Sequence, residues 1–488
     1  MLHRVDQTGT LLTCSFARKA DVAVVQWIKG GATSQTFMDV RSSWGKWMFG
    51  YYLELAARSL RRSPGLTALM ILSIGFGVAA SMTTYSVFRG LSGDPIPWKS
   101  SRLFVPQIDP WGPGFRGPGD EPPDALSYSD AIALMRQHRA TGQSAIYPIG
   151  PSLMPTNTDR NRSPILLDGY AVNSEFFSML DVPFHYGNGW SADDDANQLP
   201  VAVIGDKLNE QVFGGGNSVG KSIDIDNHDY RIVGVTRDWN PQPRFFDVQG
   251  GYYSVDGPDV FLSFRHSVAI NMINAGWDGC RKGASDPQGD FVGLQNSDCV
   301  WIAYIAELDD IAAVQRYQQY IDDYASDQLK AGRFRWAPNN RLRDVPAFLD
   351  HEHIVPSDTR VSLLVAQGLL IVCLVNTVGL LLAKFLRRRG EIAVRRALGA
   401  SRKAIYAQFL TEAGVIGVGG GVLGLLFTVM GVLSVDQILP ASYAALARID
   451  PSLILLTLLL ALIATLVAGV YPTYRASRVQ PAWQLKAS

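Results

Sequence analysis

RRRGEIAVRRALGASRKAIYAQF, residues 387–409, is crowded with arginines, yet a long apolar run lies on either side of it. Upstream is VSLLVAQGLLIVCLVNTVGLLLAKF (361–385), and downstream IYAQFLTEAGVIGVGGGVLGLLFTVMGVL (405–433). Working outward, two more such runs appear, at 66–88 and 453–472. Each holds the roughly 20 apolar residues that a helix needs to cross a bilayer. Soluble cores rarely contain helices so long and so apolar on every face. Four transmembrane helices are therefore expected, over 66–91, 361–385, 405–433 and 452–472.

The basic residues orient them, because cytoplasmic loops carry the excess of lysine and arginine. Arg58, Arg61 and Arg62 precede the first helix, the 386–404 loop is strongly basic, and Arg475, Arg478 and Lys486 follow the fourth. The 434–451 loop offers only Arg448. Both termini are thus expected in the cytoplasm, with residues 92–355 forming one large domain on the far side. Residues 48–65 read as an amphipathic helix on the cytoplasmic surface, the alternative being a plain extension of helix one. Residues 1–47 show no sustained period and read as a disordered or mis-started extension.

The external region alternates strand-like and helix-like stretches: RLFVPQI, SYSDAIALMRQ and QSAIYPIG near its start, VWIAYIAEL, a polar helix over 310–329 and RFRWAPNNRLRDV near its end. Short β runs fill the centre. The expected fold is an α-helical membrane protein with a large α+β external domain of two lobes, a split β-α-β lobe carrying a β-rich insert. Cys280 and Cys299 lie in this region, where an oxidising compartment would let them pair. Two unpaired thiols are the alternative.

Other motifs point to no chemistry in this chain. GGNSVGKS (215–222) matches the phosphate-loop pattern G-x-x-x-x-G-K-[ST]. A phosphate cradle needs a strand before the loop and a helix after it. Here helix-like GDKLNEQVFGGG precedes and strand-like SIDIDNHDYRIVGV follows, so the match is accidental and no nucleotide cofactor is expected on this chain. His351 and His353 read as solvated rather than metal-ligating. No catalytic residue is expected, and a net charge of +0 gives no case for nucleic acid. Asn376 and Glu412 are polar groups inside apolar runs, although Glu412 sits near the cytoplasmic start of its helix. Gly75, Gly77 and Ala79 are small residues of the kind that lets membrane helices approach closely, and are candidates for a dimer interface.

Within the arginine-rich loop, a short helix from Glu391 to Leu398 with Gly399 as its C-terminal cap would present a mixed apolar and charged surface. Such a surface suits docking on a protein, or a headgroup anchor. The loop resembles the signature of the MacB/FtsX family of ABC-transporter permeases. YPTYRASRVQPAWQL (471–485) resembles that family's closing motif, although Ala482 and Trp483 stand where an acidic residue is usual. GYAVNSEFFSMLDVPFHYGNGW with PVAVIG and YRIVGV resembles its MacB-type periplasmic domain. The resemblance runs from about Phe49 onward, with the permease domain over about 361–481. It implies a homodimer in a bacterial inner membrane, paired with an ATP-binding subunit that holds ATP and magnesium, with a periplasmic membrane-fusion adaptor as a further partner. It makes Gly390, Glu391, Ile392, Arg395, Arg396, Leu398 and Gly399 the residues that couple ATP hydrolysis to the membrane. It also implies efflux of an antibiotic, peptide or lipophilic substrate. The alternative is an FtsX-like scaffold that activates a cell-wall hydrolase.

Overall fold

The computed structural model describes residues 50–153, 164–248, 250–281, 290–435 and 449–477. The extension over 1–47 and the closing residues 478–488 lie outside them. Among the described residues, four helices are long and apolar enough to cross a membrane: Pro64–Leu91, Ser357–Leu386, Arg402–Ser434 and Pro451–Ala476. They coincide with the four apolar runs. The chain divides into two compact units. Of the described residues, a helical unit contains those up to Ala80, Gln367–Thr428 and those from Pro451 on, and a sheet unit contains those between Ser81 and Ala366 and the few described between Val429 and Asp450.

In the helical unit, small residues set the spacing. A Cβ at Gly75 would stand 3.3 Å from the Gly420 carbonyl oxygen and 3.3 Å from the Gly424 nitrogen. The first and third membrane helices are therefore in near-backbone contact, as small residues permit where no hydrophobic drive separates helix from lipid.

Among the described residues the sheet unit contains thirteen strands: β1 (Leu103–Gln107), β2 (Leu126–Ser127), β3 (Gly142–Ile149), β4 (Ser152–Leu153), β5 (Ile165–Leu166), β6 (Gly169–Val172), β7 (Phe184–Gly187), β8 (Val201–Ile204), β9 (Ser222–Ile225), β10 (His228–Thr236), β11 (Val260–Ser263), β12 (Val300–Glu307) and β13 (Arg341–Asp344). They pair in the order β13-β1-β12-β3-β6-β11-β8-β10-β9-β4-β5, with β2 on β12 and β7 on β10. The strands expected in separate lobes are thus joined in one hydrogen-bonded path. β3 makes the join, pairing β12 through Gly142–Ile146 and β6 through Tyr147–Ile149.

Every residue of β3, β6, β8, β11 and β12 is buried. Alternate side chains feed two cores, one per sheet face: Ala202, Ile204, Ile302 and Tyr304 on one, Val201, Val203, Ala303 and Ile305 on the other. Strands buried on both faces read as continuous apolar runs such as VAVI, without the alternation of a half-exposed strand. Cys280 and Cys299 form a disulfide that closes a span of 19 residues.

Candidate functional site

The arginine-rich loop folds as a helix over Arg389–Ala397. Gly399 ends it at φ +97°, a left-handed conformation that glycine adopts without strain. The Gly399 N–H donates to the Arg396 carbonyl and the Ala400 N–H to that of Arg395, so the last turn is satisfied as expected.

The faces of this helix are not the ones the sequence led us to expect. Ile392 and Ala393 are buried, so they anchor the helix to its own chain and are not part of a docking surface. Ile392 lines a crevice with Ile405 and Phe409 of the third membrane helix. The apolar residues it does expose are Leu398, 83% accessible, and Val394, 52% accessible. Gly390 is also exposed, and Arg396 is partly so. Glu391 and Arg395 face each other at 2.8 Å, and Arg395 also donates to Gln408 Oε1 at 2.8 Å. Both are committed within the chain.

The helix is tied to the membrane helices through Arg388. Its guanidinium makes a two-pronged contact with Glu391 at 3.0–3.1 Å. The same side chain reaches Glu412 Oε2 at 3.3 Å and donates to Ser59 Oγ at 2.7 Å. Glu412, 1% accessible, takes its main partner from the second membrane helix, where Lys384 Nζ stands 2.7 Å from Oε1. Ser59 donates to that oxygen as well. Lys384 also donates to Thr67 Oγ1 at 3.3 Å. One carboxylate therefore joins the 50–62 helix, the second membrane helix, the loop helix and the third membrane helix. Glu412 lies near the start of its helix, yet it does not face outward; it is the buried hub of a charge cluster. A carboxylate within an otherwise apolar run was the visible signal, but its partners Lys384 and Arg388 read only as topogenic charges.

The glycines of helix one are also spent inside the chain. Gly75 faces Leu423, Gly420 and Gly424, and a Cβ at Gly77 would lie 3.0 Å from that of Cys373. Ala79 is buried. This face packs within one chain. The second membrane helix shows a different face to its surroundings: Asn376 is exposed there, and the space beside Gly368 and Gly379 is open.

The phosphate-loop match has the geometry that argues against it. The Asp206–Phe213 helix precedes residues 215–222 and β9 follows. Its amides are used locally: the Gly220 N–H donates to the Ile232 carbonyl and the Lys221 N–H to that of Ser218. The Lys221 ammonium lies 5.0 Å above the Phe213 ring.

Residues 67–324 match the MacB-like periplasmic core domain, and residues 363–481 match the FtsX-like permease C-terminal domain. The chain belongs to the MacB/FtsX permease family. Among curated relatives, it is 25% identical over 430 residues to the pyoverdine export ATP-binding/permease protein PvdT of Pseudomonas aeruginosa, covering 85% of this chain and 55% of that one. It is 24% identical over 448 residues to the macrolide export ATP-binding/permease protein MacB of Rhodospirillum rubrum, covering 90% and 60%. The chain thus spans rather more than half the length of these relatives. Of solved structures, the periplasmic region of MacB from Actinobacillus actinomycetemcomitans is 11% identical with a TM-score of 0.33, covering 53% of this chain and 95% of that one.

Proposed function

We propose that this MacB/FtsX permease is the membrane subunit of an ATP-driven exporter whose ATP hydrolysis takes place on a separate ATP-binding subunit. The observation that carries this reading is the loop helix, which offers Leu398 and Val394 outward while Arg388 and Glu391 bind it to the buried Glu412. A partner that seats on the exposed side and moves with hydrolysis pulls on Arg388, and the Glu412 cluster distributes that pull to three other helical segments. The motion is delivered to the periplasmic domain, and the cargo is an antibiotic, peptide or lipophilic molecule. The site of action is a bacterial inner membrane, with both termini in the cytoplasm and an adaptor protein as a periplasmic partner.

A second copy completes the permease. It packs on the second membrane helix, where Asn376 otherwise presents an amide to lipid that cannot hydrogen-bond it. Gly368 and Gly379 leave room there for close approach.

Gentle detergent purification of the tagged chain from its native membranes, with mass spectrometry of what is retained, tests the proposal. Recovery of an ATP-binding subunit with a membrane-fusion adaptor is expected. Recovery of that subunit with a peptidoglycan hydrolase would favour a signalling scaffold. Absence of any ATP-binding subunit would overturn both.

A further inference from the structure

The sheet unit holds a cluster that the transport reading does not use. Asp124, His351 and Glu352 each offer one ligating atom, and these atoms all lie within 4.8 Å of one another. Asp124 comes from the segment before β2, and the other two from the end of the Val345–His351 helix. His351 Nε2 is 3.7 Å from Glu352 Oε1 and 3.9 Å from Glu121 Oε2. The Asp124 and Glu352 carboxyl groups are in hydrogen-bond contact.

We propose that Asp124, His351 and Glu352 form a binding site for a divalent transition cation of the zinc and manganese class. Two carboxylates at this separation repel unless they share a proton or a cation lies between them. Arg343 lends its charge to both carboxylates from a distance but does not bridge them, because its direct contacts are with Glu121 at 2.8 Å and with Gln107. A divalent ion satisfies both carboxylates and takes the imidazole as a third ligand, and the single nitrogen favours zinc or manganese over calcium.

The surroundings suit this use in two further respects. The ligands are braced: Gln107 Nε2 donates to Asp124 Oδ1 at 3.4 Å, and the Tyr252 hydroxyl lies near Glu352 and favours its charged form. Outer partners of this sort orient metal ligands and raise affinity. The three ligands also line a cavity of about 530 Å³ between Trp111, Trp277 and Pro123. It gives an ion a path in and leaves room for water to complete the coordination sphere, as a site with three protein ligands requires.

The test is zinc binding to the full-length chain in detergent, measured by competition with a chromophoric chelator. One ion per chain is expected, and His351→Ala or Asp124→Asn should weaken binding at least tenfold. Tyr252→Phe should weaken it by about tenfold through the ligand it orients. His353→Ala, beside the cluster but outside it, should leave binding unchanged. Cobalt(II) absorption of the unmodified chain reports one nitrogen ligand among oxygens directly, which keeps the test valid should a variant fail to fold. Absence of saturable zinc binding, or equal binding by the unmodified chain and both His351→Ala and Asp124→Asn, overturns the proposal. So does a cobalt spectrum without a nitrogen ligand.

Discussion

Two buried charge clusters, one in each unit, use similar chemistry to different ends. In the helical unit, Glu412 holds Lys384, Arg388 and Ser59. In the sheet unit, buried Arg244 donates to Asp168 at 3.0 Å, to the Tyr170 hydroxyl at 2.9 Å and to the Asp256 carbonyl, while Tyr170 donates to Asp247. The Arg244 cluster lies against a strand, β6, that already has backbone partners on both sides. Helices satisfy their backbone groups internally, so close packing and side-chain bonds, not backbone ladders, fix one membrane helix against another. The Glu412 cluster therefore carries connectivity that the Arg244 cluster does not. Loss of either lowers stability, but only loss of the first should disconnect the loop helix from the membrane.

The strongest way to break this contrast is Glu412→Ala, which strands the buried Lys384 and leaves Arg388 with Glu391 alone. A loss of about 3–5 kcal/mol is expected, read as a lower thermal midpoint of the purified protein, together with loss of partner-stimulated ATP hydrolysis. Arg244→Ala should cost about 3 kcal/mol, since it removes the donor for Asp168 and Tyr170. Its complex with the ATP-binding subunit should assemble normally, and failure to do so would erase the distinction between the clusters. Replacing Cys280 and Cys299 together with serine should cost roughly 3 kcal/mol from the loop they close, with coupling again intact.

The pH dependence of the sheet unit sharpens the contrast further. Burial pushes the Asp247 carboxyl up to about 6, although Tyr170, the Gly250 N–H and Arg244 oppose that rise. Its folded-state value is above the unfolded one, so the neutral acid is the favoured folded form. The stabilisation is complete below about pH 4 and is lost as pH rises through about 6, in total roughly 2–3 kcal/mol. Denaturant melts of Asp247→Asn between pH 4 and 7 should lack this slope. The smallest effect on stability belongs to Leu398→Glu, within about 0.5 kcal/mol because the side chain is exposed. That variant should nevertheless fail to retain the ATP-binding subunit in a pull-down.

The membrane helices were legible because apolar length is a local property of sequence, and the 361–385 run reappears within Ser357–Leu386. Strands β1, β3 and β12 were legible for a related reason, being short apolar or β-branched runs bounded by turns. Sheet order was not, since the pairing of β3 with both β12 and β6 depends on contacts distant in sequence. The loop helix was placed correctly while its faces were misjudged: Ile392 and Ala393 lie inward because Ile405 and Phe409 form a crevice that periodicity over nine residues cannot reveal. The glycines of helix one announce close packing without naming the neighbour, and Gly420 and Gly424 of the same chain take that place. Likewise, a pair of histidines two apart gives no sign that Asp124 will stand beside His351.

Everything proposed for the loop helix rests on its transmitting hydrolysis through Glu412. The most direct measurement is ATP turnover by the ATP-binding subunit reconstituted in lipid with the unmodified chain, with Leu398→Glu and with Glu412→Gln. The prediction is that Leu398→Glu neither binds nor stimulates the subunit, whereas Glu412→Gln binds it and loses most of the stimulation. Full stimulation by Glu412→Gln would contradict the claim.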